Sequence, residues 1–157
     1  VADARSKHLL IVYHSQSGRN ERLAYAAHDA AIRAEPELET RLLRAAEAGT
    51  RDIMWCDGLL LFMPENFGAL AGGMKDFFDR SFYPVLAREL IRPYGVFICS
   101  GNDGSNALRQ WQRIAKGYAW RSVTEAIICH GEPNAEAFQQ AEELGAGFAA
   151  GLALGVF

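Results

Sequence analysis

The sequence is poor in what would build a metal centre, a disulfide framework or a nucleic-acid-binding face. Its 157 residues include three cysteines, Cys56, Cys99 and Cys129, an odd number at wide spacings with no CxxC pair. A redox dithiol motif and a zinc site are not indicated, and the three read as reduced thiols used as small apolar side chains. The histidines His8, His14, His28 and His130 have no companions at metal-ligand spacing, so no metal is expected. Lysine and arginine form no cluster and the formal net charge is −3, which argues against a nucleic-acid partner. Long apolar runs are missing too. The Gly-, Ala- and Leu-rich tail from Leu144 to Phe157 is shorter than the roughly 18 apolar residues of a membrane span. The opening stretch Val1 to Lys7 is polar and no small-residue cleavage site follows, so neither a signal peptide nor a membrane is expected and the cytoplasm is the expected location. Internal repeats and low-complexity linkers are absent, and the length suits one domain over residues 1–157.

What is present is a series of short apolar runs. Leu9–Tyr13, Leu59–Met63, Val96–Cys99 and Ala126–Cys129 are too short for helices and do not alternate. Near-continuous apolarity of that kind belongs to strands covered on both faces. Leu38–Leu43 alternates at its start, placing Leu38, Thr40 and Leu42 on one side, as an edge strand would. Between the runs, helical spacing recurs: Leu70, Met74, Phe77 and Phe78, with Lys75, Asp76, Asp79 and Arg80 facing water; Leu108, Trp111, Ala115 and Tyr118; Phe138, Ala141, Gly145, Phe148 and Leu152; and the small stripe Leu23, Ala27, Ala30 and Ala34. The link from Arg44 to Asp57 holds at most a short helix around Ile53–Trp55.

Strands alternating with helices predict an α/β fold of three layers, a doubly wound five-stranded parallel sheet. An edge strand second in the chain predicts the order 2-1-3-4-5, with the switch point between the first and third strands and ligands beyond their carboxyl ends.

Three loops open at that edge. The first, Ser15, Gln16, Ser17, Gly18, Arg19 and Asn20, joins the first strand to the first helix and can offer amides, two hydroxyls and the Asn20 amide to an anion at a positive helix end. It is neither a Walker A loop nor GxGxxG, which favours a single phosphate monoester over a triphosphate or a dinucleotide. The competing reading is that Ser15 or Ser17 only caps the helix. The second, Pro64, Glu65, Asn66, Phe67 and Gly68, supplies a rigid Pro, amides and one aromatic, with Phe67 either against a planar ligand or closing the core. The third, Ser100, Gly101, Asn102, Asp103 and Gly104, offers unhindered backbone, or is a tight turn in which Asn102 or Asp103 caps the next helix.

On these residues the chain resembles the flavodoxin-like FMN proteins, especially the NAD(P)H-dependent FMN and quinone reductases related to the tryptophan-repressor-binding protein. Ser15–Asn20 is similar to that family's hydroxyl-rich phosphate loop. The stretch PENFGALAGGMKDFFDR, Pro64–Arg80, resembles its pattern of Pro, aromatic and Gly followed by GxxKxFxDR. The resemblance implies that Ser15–Asn20 hold the FMN phosphate without a balancing Lys or Arg. It also implies that Pro64–Gly68 contact the isoalloxazine and ribityl region and that Ser100–Gly104 flank the ring. The chain departs from the family at Glu65, where a small hydroxyl residue is common, and in a third loop without Trp or Tyr. No catalytic side chain is required, because the flavin carries the chemistry. The implied activity is electron transfer from NAD(P)H through FMN to a quinone or similar small-molecule acceptor, in a homo-oligomer in which Phe77–Tyr83 and the tail ending at Phe157 offer contact surfaces. The alternatives are a flavodoxin-type one-electron carrier and a flavodoxin-like interaction domain with a vacant flavin site.

Overall fold

A computed structural model of the chain describes residues 5–157, so most of the polar opening segment, residues 1–4, lies outside the described residues. Thirteen elements follow in order: β1 His8–Tyr13, α1 Arg19–Ala34, β2 Glu39–Arg44, α2 Thr50–Trp55, β3 Gly58–Met63, β4 Glu65–Asn66, β5 Ala69–Leu70, α3 Gly72–Ala87, β6 Pro93–Ser100, α4 Ser105–Tyr118, β7 Arg121–Ser122, β8 Ile127–His130 and α5 Ala135–Leu154. β2, β1, β3 and β6 lie side by side in that order, every pair parallel. The fifth position of the sheet is shared. β7 pairs with the start of β6 at Pro93 and Tyr94, and β8 pairs with its end from Phe97 to Ser100. The expected order 2-1-3-4-5 is thus present with its last strand broken in two.

The first three apolar runs form strands covered on both faces, whereas the run Ala126–Cys129 forms β8 from Ile127 onward and is only half-buried, contrary to expectation. β3 is buried at all six positions and β6 at all eight. On one face Leu10, Leu59, Leu61, Val96 and Ile98 pack with Met74, Phe77, Phe78 and Trp111 from α3 and α4. On the other Leu9, Ile11, Leu60, Phe62 and Phe97 pack with Leu23, Ala27, Ala141 and Phe148 from α1 and α5. Each large side chain fully removed from water contributes on the order of 1.5–3 kcal/mol before ordering costs. The small-residue stripe has a definite use: a Cβ at Gly145 of α5 would overlap the backbone of Ala27, so the two helices cross in near backbone contact. The end of the tail folds back so that the partly buried Phe157 meets Phe148 at a ring separation of 5.1 Å, while Leu154 and Val156 stay exposed.

Three expectations change. Leu70 belongs to β5 rather than to α3, and its amide is held by Gln110 Oε1 of α4 at 2.7 Å. Ala34 is exposed at the end of α1, and Ala24 and Ala31 complete the buried stripe instead. Arg80 does more than face water. It pairs with Asp76 and donates to the carbonyls of Ala48 (3.1 Å) and Ala45 (2.8 Å), tying α3 to the link that follows β2. Among the described residues no helix is long and apolar enough to cross a membrane.

Candidate functional site

The three loops leave β1, β3 and β6, adjacent parallel strands, at their carboxyl ends. Parallel topology alone therefore brings Ser15–Asn20, Pro64–Gly68 and Ser100–Gly104 to one edge.

In the first loop, Gly18 has φ +90° and ψ −5°, a left-handed conformation that disfavours a side chain, and nothing lies within 4 Å of where its Cβ would be. Gly18 is the N-cap of α1, with no side-chain cap hydrogen bond. Ser15 Oγ instead accepts from the Gly18 amide at 3.0 Å and closes the turn on itself. The competing reading, in which Ser15 or Ser17 caps the helix, is not what the structure contains. Among the described residues no side chain accepts from the Arg19 and Asn20 amides that open α1, and a cavity of about 590 Å³ lined by Ser15, Gln16, Ser17, Gly18 and Glu21 lies beside them.

Two residues of this loop are committed elsewhere. Asn20 is buried at 3 % exposure, and its side-chain amide donates to the Cys99 carbonyl and accepts from the Cys99 amide, both at 3.1 Å. It pins α1 to β6, so only its backbone amide is left to meet an anion. Arg19 turns to Glu132 at 3.3 Å, where Arg22 joins it, and this pairing holds the Glu132 carboxyl below its ordinary range. A cation of the cavity lining comes from outside the loop: Arg44, at the end of β2. It faces the Tyr13 phenol, which burial pushes above its usual range and which donates to Glu21 at 2.9 Å. No motif spacing marks Arg44; only the alignment of β2 beside β1 brings Arg44 level with Tyr13.

The second loop is a small hairpin. β4 pairs antiparallel with β5, and the two turn residues Phe67 and Gly68 have φ of +51° and +68°. Positive φ at both central positions is the requirement of a type I′ turn, in which a bulky residue is disfavoured. Phe67 nevertheless occupies that position with its side chain wholly in solvent. It therefore does not close the core. Pro64 follows β3 directly and lies half-buried.

Glu65 turns away from the opening. Its carboxylate accepts from the amides of Gly104 and Ala107, both at 3.0 Å, and so caps α4 from a different loop. Neither Asn102 nor Asp103 performs that task. In the third loop the Asn102 amide donates to Ser100 Oγ at 3.1 Å, Asp103 is bonded by Ser105, and the Asp103 carbonyl meets His130 Nε2 at 2.9 Å. Gly101 is exposed and open, whereas a Cβ on Gly104 (φ +82°) would crowd Ile128. Further braces join the loops: Asn66 donates to Gln16 Oε1, and Asn106 donates to the Gly68 carbonyl. Asn106 is a site residue with no motif signal.

The motif after the second loop supports the site from beneath. A side chain at Gly73 would run into the His14 imidazole, so glycine there lets the start of α3 lie against the end of β1. Of the aromatic stretch offered as a contact surface, Phe77 and Phe78 are core and Tyr83 is 76 % exposed.

No family model matches the chain. Over 71 residues, 45% of this chain and 38% of the relative, it is 34% identical to a flavodoxin of Aquifex aeolicus. The matched segment thus spans well under half of that relative's length. Its structure is similar to that of a flavodoxin from the domain Archaea, with TM-score 0.81, 14% identity and coverage of 92% of this chain and 98% of that one. It is similar also to a WrbA-like flavodoxin from Agrobacterium tumefaciens, with TM-score 0.76, 22% identity and coverage of 92% and 96%. A flavodiiron core from Synechocystis matches with TM-score 0.78 and 17% identity, over 97% of this chain but 37% of that one. The fold is flavodoxin-like.

Proposed function

We propose that the chain binds FMN at the opening between the three loops and serves as an FMN-dependent oxidoreductase, taking electrons from NAD(P)H and passing them to a quinone or similar small acceptor. The observation that carries the proposal is the start of α1: Arg19 and Asn20 amides with no side-chain acceptor among the described residues, two hydroxyls and an unobstructed Gly18 beside a cavity. A terminal phosphate fits that donor set. Ser15, Ser17 and the amides of Arg19 and Asn20 would hold it, with Arg44 the cation of the same cavity. Phe67 offers an exposed aromatic face to a planar ring, and Gly101 leaves the opposite side without steric cover.

FMN, when bound, supplies hydride acceptance and the onward release of electrons. The chain's own residues orient it: the braces Gln16–Asn66, Glu65 to α4 and Asn106–Gly68 fix the spacing of the loops before any ligand arrives. Pre-set spacing lowers the ordering cost of binding. The acid at Glu65 is no obstacle to the ring, because both of its oxygens are engaged by helix amides.

The 34% identity to a flavodoxin supports a second reading, a carrier that serves a protein redox partner. Anaerobic stopped-flow mixing of the FMN-loaded protein with NADH and with NADPH separates the two. Direct bleaching of the flavin by either nucleotide, followed by fast return of colour with a soluble quinone, is expected. Failure of both nucleotides with a flavin that dithionite still reduces would favour the carrier. Self-association belongs to the same proposal, with the exposed Tyr83 and Leu86 on α3 as the contact face. Light scattering at micromolar concentration is expected to give at least a dimer, and a monomer would remove that part.

A further inference from the structure

Two of the three thiols are partners across the sheet. Cys99 of β6 and Cys129 of β8 are direct register partners in parallel strands, and both face the side covered by α1 and α5. Neighbouring strands lie about 4.8 Å apart, inside the roughly 4.4–6.8 Å between Cα atoms that a disulfide spans. Both cysteines are free thiols. Cys99 is buried and its Sγ donates to the Gly131 carbonyl at 3.3 Å. Cys129 is half-exposed and forms part of the wall of a surface cavity of about 220 Å³ with Glu132, Asn134 and Gln140.

We propose that Cys99 and Cys129 are a redox-active dithiol, which a hydroperoxide reaching the pair through the Cys129 cavity closes to an intramolecular disulfide. The chemistry around the pair favours it. The neighbouring Cys129 thiol, against the opposing effect of burial and with help from Arg19 and Arg22, holds the Cys99 thiol below its ordinary range. Access sets the order of reaction, since Cys129 lines the cavity and Cys99 does not. With hydrogen peroxide, the Cys129 sulfur attacks one peroxide oxygen as it gives up its proton, the O–O bond breaks, and the departing hydroxide takes that proton to leave as water. The sulfenic acid so formed on Cys129 is attacked by the Cys99 sulfur of the facing strand, which gives up its proton as the S–O bond breaks and a second water leaves. Two thiols are oxidised by two electrons in all, and one peroxide is reduced to two waters. Cys56 provides an internal contrast: it is 1 % exposed, donates to the Ile53 carbonyl, and is pushed up to about 12 by burial. A protonated, enclosed thiol of that kind is inert.

The test uses the full chain treated with hydrogen peroxide, then denatured, alkylated and digested with trypsin without reductant. Arg109, Arg113, Lys116 and Arg121 separate the two cysteines, so they fall on different peptides. The expected product is a peptide pair joined at Cys99 and Cys129, two hydrogens lighter than the free-thiol peptides together, reversed by a thiol reductant, with Cys56 fully alkylated. Cys129→Ser is expected to abolish the cross-link and to leave Cys99 a free thiol, whereas Cys99→Ser is expected to leave Cys129 as a sulfenic or sulfinic acid. Alkylation of Cys99 and Cys129 as complete as that of Cys56 after peroxide, or cross-links formed only between chains, would overturn the proposal.

Discussion

Helices α1 and α4 begin alike and end up chemically opposite. Each follows a strand of the same sheet, each has a left-handed glycine as its N-cap, Gly18 at φ +90° and Gly104 at φ +82°, and neither glycine has a side chain to offer. At α4 the gap is filled from within, since Glu65 reaches across from the second loop and takes the amides of Gly104 and Ala107. At α1 no carboxylate reaches the amides, while hydroxyls and a cavity stand beside them. A helix start is a positive end that favours an anion. The protein supplies its own anion at one start and leaves the other open, which is why the proposed ligand phosphate is placed at α1 and not at α4.

The largest expected effect comes from spoiling the open start. Ser17→Ala together with Gly18→Val removes a hydroxyl donor worth about 1.5–3 kcal/mol against a charged phosphate and puts a β-branched residue at φ +90°. FMN affinity is expected to fall by at least about tenfold, with the far-ultraviolet circular dichroism of the fold retained. Unchanged affinity in the folded double variant would show that both helix starts are structural. A smaller effect is expected from opening the closed start. Glu65→Ala uncaps α4 and is expected to cost about 1–2 kcal/mol in chemical denaturation. It should also weaken FMN binding, because the second and third loops lose their brace. A variant as stable as the parent would mean that the Glu65 bonds do not act as a cap. The smallest effect is at Phe67. Phe67→Asn places the favoured Asn-Gly pair in the type I′ turn and is expected to raise stability by about 1 kcal/mol. Loss of the aromatic face is expected to lower flavin affinity by a similar amount. Both quantities moving in the same direction would contradict the role given to this side chain.

Most of the architecture was legible in the sequence because burial leaves a local signature. Continuous apolar runs marked β1, β3, β6 and β8, and alternation marked β2 as the edge. The hairpin β4–β5 was not legible. It depends on a two-residue turn carrying Phe in a left-handed conformation, which sequence preference argues against. The loops could be located because they follow strand ends, yet the aim of their side chains could not. Asn20, Arg19 and Glu65 all sit in loops that suggest ligand contact, and each is claimed by a partner 39 or more residues away in the chain. Arg44 and Asn106 had no motif to mark them, since long-range pairing alone brings them to the opening.

The account rests on the open start of α1 receiving a phosphate, and titration calorimetry of one preparation with FMN and with riboflavin tests it most directly. The two ligands share the ring and the ribityl chain and differ in the group that α1 is said to hold. With at least two charge-assisted hydrogen bonds at stake, FMN is expected to bind about a hundredfold or more tighter than riboflavin. Equal affinities would contradict the account and reduce Ser15–Asn20 to a turn.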